Sequence, residues 1–180
     1  YPQKYIDKLY QISRENDILF CFDEVQSGFY RMGTLYGYQT YNDYEADIVT
    51  LGKGLTSSLP LSAVLSKKEI VDVDMKANLS STHAGNAVCC AAGLANLDFL
   101  TDKDFQKDFQ KRVQLFEKLN KQLEKEDGVE TVNVRGMVSA IIVKDGKMGD
   151  YVTEYCVKNG VLPVWTKRES IKLGPPLTIT

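Results

Sequence analysis

Long hydrophobic runs are the first thing missing from this 180-residue sequence. No apolar stretch approaches the roughly 20 residues that a membrane-spanning helix needs, and none has the pattern of a secretory signal, so no membrane partner is expected. Charge of one sign is missing too. Lysine and arginine total 22 against 24 aspartate and glutamate, a formal net charge of −2, which leaves no basic footprint for nucleic acid. The four cysteines, Cys21, Cys89, Cys90 and Cys156, include no pair at the spacing of a metal knuckle or a redox CxxC motif. The first three lie in apolar or small-residue runs and are expected to be reduced core residues of a cytoplasmic protein, with no metal site. Low-complexity linkers and internal repeats are absent as well. What is present is 43% hydrophobic residues, ample for a packed core in one domain or in a domain with part of another.

The periodicity predicts an α/β chain. Ile6, Leu9, Tyr10 and Ile12 begin a helix that runs to about Asn16, and the apolar run ILFCF at 18–22 reads as a buried central strand fed by it. A glycine- and tyrosine-rich loop at 27–45 leads to strands at 47–51 and, after Pro60, at 61–66. Strands separated by long crossings imply α/β architecture. Residues 84–100 read as a helix that is small on every side, with Gly85, Ala91, Ala92 and Gly93 among its residues, and it is expected to be buried in tight contact. At 104–126, Phe105, Phe109, Val113, Phe116, Leu119 and Leu123 form one apolar stripe, the mark of a half-exposed helix packed on its own domain. After Asp127-Gly128 the character changes to a small α+β unit. It has strands near 129–134 and 138–143, a helix at about 149–159, and the segments GVLPVW and SIKL. A domain boundary falls near residue 110.

Two strand ends carry candidate chemistry. ILFCFDEVQ delivers Asp23 and Glu24 at the carboxyl end of a strand, the edge of an open α/β sheet where ligands bind. DIVTLGKG repeats the pattern with opposite sign, releasing Lys53 between Gly52 and Gly54. A lysine buried there would tend to lose its proton and become a nucleophile able to form an imine with an aldehyde, and the glycines would let a flat ligand approach. An aspartate at such a site needs a positive partner, and a protonated pyridine nitrogen serves. Taken alone, the same residues also fit solvated side chains or an ion pair. The run before Asp23-Glu24 further has the shape of a Walker B strand of a P-loop ATPase. The matching phosphate loop, GxxxxGK[ST], fails at Lys53: Asp47 stands five positions before Gly52, and Gly54 follows the lysine. A dinucleotide fingerprint fails too, because the segment lacks its last glycine and runs into Pro60.

Taken in order and spacing, FDEVQSGFYRMG, ADIVTLGKGLTSSLPLSAVL, STHAGNAVCCAAGLANLDFL, VRG and IKLGPPLTI resemble the class III (ω-type) pyridoxal-phosphate aminotransferases of fold type I. The resemblance covers nearly all of the chain. It implies an α/β fold with part of a large, mainly parallel cofactor domain at 1–110 and an incomplete small α+β domain at 111–180. It further implies that Asp23 faces the pyridine nitrogen of pyridoxal 5'-phosphate, Val25 packs on its ring and Gln26 lies near its hydroxyl. Lys53 would form the internal aldimine, and Thr82 would bind the cofactor phosphate of the neighbouring subunit in a homodimer with shared sites. The implied reaction is transamination between an amino donor, an ω-amino acid or amine, and a 2-oxo acid.

Departures from the family pattern lie at Tyr30 and Met32 around Arg31, at His83 after Thr82, and at Lys172 where many members carry an arginine that grips a substrate carboxylate. The family's upstream phosphate turn and ring-stacking aromatic have no counterpart, so the sequence is expected to be the C-terminal half of a longer enzyme, inactive when isolated. An aminomutase, racemase or decarboxylase on the same scaffold is the near alternative. A P-loop-type ATPase and a catalytically incomplete structural fragment stand in other classes.

Overall fold

The computed structural model describes residues 1–41, 44–72 and 81–180. Contacts divide these into two compact units, one of Tyr1–Phe29 with Thr34–Asp102 and one of Tyr30–Gly33 with Lys103–Thr180.

In the first unit, helix α1 (Gln3–Glu15) starts after Pro2, whose carbonyl accepts from the Tyr5 and Ile6 amides. It buries Ile6 and Ser13 and ends where the Asn16 amide side chain donates back to the Ile12 carbonyl at 2.9 Å. Asp47 sets the entry to the sheet. Its carboxylate accepts from the Phe20 amide at 2.6 Å and is paired with the Arg14 guanidinium. Strand β1 (Cys21–Asp23) runs parallel to β2 (Ile48–Leu51), with Asp23 opposite Thr50, and β3 (Ala63–Ser66) is antiparallel to β2.

Within this chain the strand expected at 18–22 is short, Cys21–Asp23, and pairs on one side only, with β2. The Phe20 amide is taken by Asp47 before the ladder begins, and among the described residues no strand pairs with the far edge of β1. Ile18 and Leu19 are accordingly 54% and 53% exposed. The tyrosine-rich loop supplies cover elsewhere: Phe22 stacks on Tyr38 at 4.7 Å and meets Phe20 edge-on at 5.0 Å.

Helix α2 (Lys68–Val71) is a single turn. Helix α3 (Ala87–Thr101) is capped by Asn86, whose Oδ1 accepts from the Val88 and Cys89 amides. It is expected to be buried in tight contact, and within this chain the contact is on one side. Gly93 and Leu100 are buried, whereas Val88, Leu94 and Phe99 are exposed. Small residues permit close approach on every face, but only the Gly93 face meets the segment after β2, with Leu61 the nearest atom. All four cysteines are free; within this chain Cys21 is exposed and the others are half-buried rather than core residues.

In the second unit, helix α4 (Lys103–Gln122) buries Phe109 and Val113 with Met137, and Tyr30, Phe105, Phe116 and Leu177 pack around them. The stripe ends early, because Leu119 is exposed. Strands β4 (Val129–Arg135) and β5 (Val138–Val143) form a hairpin, helix α5 (Gly146–Lys158) is capped by the Asp145 carboxylate, and β6 (Val164–Trp165) and β7 (Ser170–Leu173) complete an antiparallel sheet in the order β4-β5-β7-β6. The hairpin turn requires Gly136. Its φ is +59°, and a Cβ there would lie 2.3 Å from the Met32 carbonyl carbon.

Candidate active site

Because β1 and β2 are parallel, their carboxyl ends open at one edge of the sheet, and the segments leaving them carry Asp23 and Lys53. Asp23 is the last residue of β1 and its side chain is exposed. Its Oδ1 accepts from the Val25 amide at 3.0 Å and from the Thr50 hydroxyl at 3.1 Å. Both bonds fall on the same oxygen, so among the described residues Oδ2 is left open to an external donor.

Glu24, the next residue, points the other way. It is buried, with Oε2 accepting from the Ser27 hydroxyl at 2.7 Å and the Gly37 amide at 2.8 Å, and Oε1 accepting from the Tyr38 amide at 2.7 Å. A buried carboxylate surrounded by donors organises the loop. Glu24 is thereby turned into the loop rather than presented at the strand end beside Asp23.

Lys53 opens a single 3-10 turn, Lys53–Leu55, directly after β2 and Gly52. Within this chain its side chain is exposed at the end of the strand. Its backbone φ of +38° is a left-handed value that a side-chain-bearing residue adopts only when its surroundings enforce it. The flanking glycines serve this packing. A Cβ on Gly52 would touch Val25 at 3.4 Å, and one on Gly54 would crowd Phe29 at 3.0 Å. The space beside Lys53 that the sequence assigns to a ligand is thus partly filled by Val25 and Phe29.

The other residues singled out from sequence are more dispersed. Gln26 is exposed in the turn after β1. Thr82 and His83 sit in an exposed turn ahead of α3, and no hydrogen bond among the described residues joins either to Asp23 or Lys53. In the second unit, Arg31 is partly buried, which lowers its pKa, and its Nη1 donates to the Met137 and Pro175 carbonyls at 2.8 and 2.7 Å. Lys172 lies in β7 between Ala140 and Val164.

One participant escapes sequence reasoning. Asn96, on α3, donates from Nδ2 to the Gly54 and Leu55 carbonyls at 2.8 and 3.2 Å and accepts from the Ser57 hydroxyl at 3.1 Å. An asparagine inside a helix of small residues is the one available signal, since it is a poor helix former with hydrogen bonds to offer.

A family model described as Aminotransferase class-III matches residues 1–180. The chain belongs to the class III aminotransferase family. Curated relatives agree. An isoleucine 2-epimerase of Lentilactobacillus buchneri is 32% identical over 188 residues, and an ornithine aminotransferase 2 of Staphylococcus aureus (strain MRSA252) is 31% identical over 180. Each alignment covers 99% of this chain but only 42% and 44% of the relative, so the chain spans less than half the length of either. A solved (S)-enantioselective omega-transaminase from Thermomicrobium roseum superposes with a TM-score of 0.84 at 30% identity, covering 99% of this chain and 43% of that one. This class III aminotransferase chain accordingly has the fold type I α/β architecture expected from its motifs.

Proposed function

We propose that the protein carrying this chain is a pyridoxal-phosphate-dependent aminotransferase that moves an amino group from an ω-amino acid or amine donor to a 2-oxo acid. The observation that carries the reading is the pairing of an exposed carboxylate and an exposed amine at the shared edge of two parallel strands, Asp23 in register with Thr50 and Lys53 three residues beyond it. The residues fit the cofactor. Asp23, with Oδ2 open, offers a counter-charge to a ring nitrogen, and Val25 lies beside Gly52 with an apolar surface for a ring face. Lys53 supplies the amine for covalent attachment, Gln26 a partner for the ring hydroxyl, and Thr82 a hydroxyl for the phosphate held by a second subunit of a homodimer.

When bound, the cofactor supplies an electron sink for the charge that develops at the donor's amine-bearing carbon. The chain's own part is electrostatic and acid-base. Asp23 keeps a proton on the ring nitrogen, and the Thr50 hydroxyl and Val25 amide orient its carboxylate. The Lys53 amine, at the strand end, would hold and move the proton to or from the reacting carbon. The division of the whole enzyme into a cofactor domain through residue 110 and a C-terminal domain after it, and a cytoplasmic setting, belong to the same proposal.

The epimerase relative favours a second reading, in which the proton returns to the same carbon and the substrate's configuration inverts without amino transfer. One assay on the full-length protein separates the two. Incubation of a single-enantiomer amino acid with a 2-oxo acid is expected to yield the exchanged oxo and amino acids. Loss of optical activity with no exchanged product would establish the epimerase reading instead.

A further inference from the structure

We propose that Asn96 is a positioning residue for Lys53. The inference rests on the reading of Lys53 as the attachment and proton-transfer amine, and adds a residue on another element that fixes where that amine stands. Residues 53–57 form a tight turn with two side-chain-bearing residues in the left-handed region, Lys53 at φ +38° and Ser57 at φ +59°. Within the turn the Leu55 amide donates to the Gly52 carbonyl at 2.9 Å, and the Thr56 and Ser57 amides both donate to the Lys53 carbonyl, the latter at 3.2 Å.

Asn96 supplies the rest. Its carboxamide holds the carbonyls of Gly54 and Leu55, the two residues that follow Lys53, and takes the Ser57 hydroxyl on its oxygen. Both ends of the side chain are therefore spent on this one turn. Gly93 stands three residues earlier on α3, on the same helical face, and a Cβ there would already lie 3.7 Å from the Leu55 carbonyl oxygen and 3.8 Å from Thr56 Cγ2. Gly93 thus marks the face on which α3 packs against the turn, and Asn96 reaches the turn from that same face. A left-handed backbone at a lysine relaxes when the bonds that over-determine it are removed, and the first torsion to relax is at the Lys53 Cα itself. The consequence is a shift of the amine along its own reach rather than the loss of a contact to ligand.

This role separates from an ordinary helix contribution, because alanine is a better helix former than asparagine. The test uses the full-length protein with N96A, N96D and S57A. N96D keeps the shape and the acceptor for Ser57 but presents a carboxylate to two carbonyl oxygens. Amide hydrogen exchange at residues 53–58, measured before cofactor is added, is expected to quicken in N96A and N96D and less in S57A. With cofactor, kcat is expected to fall roughly tenfold to a hundredfold in N96A while KM for the amino donor stays within about twofold, the pattern of a misplaced group. Reductive trapping of pyridoxal phosphate on Lys53 should slow in parallel. Unchanged exchange, or quickened exchange with unchanged kcat and trapping, overturns the proposal while leaving Lys53 in place. Trapping on another lysine in the unsubstituted protein overturns the Lys53 reading, and this inference with it. If N96A and N96D do not fold, S57A decides: unaltered exchange at 53–58 overturns the role.

Discussion

Asp23 and Glu24 are adjacent, chemically alike and placed in opposite environments. The sequence presents them as one acidic pair at a strand end, and nothing in two neighbouring carboxylates tells which will turn inward. The loop decides, because the Gly37 and Tyr38 amides and the Ser27 hydroxyl converge on Glu24. The two residues should therefore fail differently. Asp23→Asn is expected to leave thermal stability nearly unchanged and lower kcat by about a hundredfold or more, the scale of losing one preorganised electrostatic partner. Glu24→Ala leaves three donors without their acceptor and is expected to cost about 2–4 kcal/mol of stability, read as a lowered denaturation midpoint. Equal losses of stability in both variants would contradict the division. Lys53 stood out in the sequence by its glycine-flanked position at a strand end, whereas its left-handed backbone did not, since hydropathy does not report how a strand terminates. Asn96 was illegible for another reason: its partners are backbone carbonyls more than 40 residues away, and backbone leaves no trace in side-chain pattern.

At the scale of elements, the joint between α1 and β1 rests on one carboxylate. The hydrogen bond from Arg14 holds the Asp47 carboxyl below its ordinary pKa; burial opposes this, and the Phe20 amide reinforces it. A depressed carboxyl pKa gives stability that is fully present above the unfolded value, about 3.9, and is lost as pH falls through the folded value. Asp47→Asn is thus expected to lower the thermal midpoint at neutral pH, with the gap to the parent protein closing as the pH drops below about 4. A gap independent of pH would mean that the charge on Asp47 contributes nothing to the joint. The same joint explains where pattern reading of strands succeeded. Residues 48–51 alternate between half-buried and buried positions in β2, and the apolar pattern found them. The apolar run at 18–20 carries the same signal but precedes β1; Phe20 is tied to the start of β2, its amide by the Asp47 carboxylate and its carbonyl by the Asp47 and Ile48 amides. Helix α3 shows the complementary limit. Its composition announces close approach, which Gly93 makes, but composition carries no phase, so the exposed sides at Val88, Leu94 and Phe99 could not be told from the buried one.

At the scale of the whole molecule, the motifs in order identified the family and with it the fold, because several long blocks at fixed spacing are far more specific than any single DEVQ or GKG. What they did not reveal is that Tyr30–Gly33 joins the second compact unit. That excursion turns on backbone geometry, with Phe29 and Tyr30 both at positive φ and the Met137 amide donating to the Arg31 carbonyl at 2.9 Å, none of which has a periodicity to read. The functional account converges on one side chain. Lys53 is distinguished by its strained turn at the edge shared with Asp23, whereas Lys67 and Lys68, the next lysines along the chain, are exposed and paired with Glu45 and Asp72. The most direct measurement is borohydride reduction of the full-length protein loaded with pyridoxal phosphate, followed by peptide mapping. The account predicts a pyridoxyl group on Lys53, and a stoichiometric label on Lys67, Lys68 or any other lysine would contradict it.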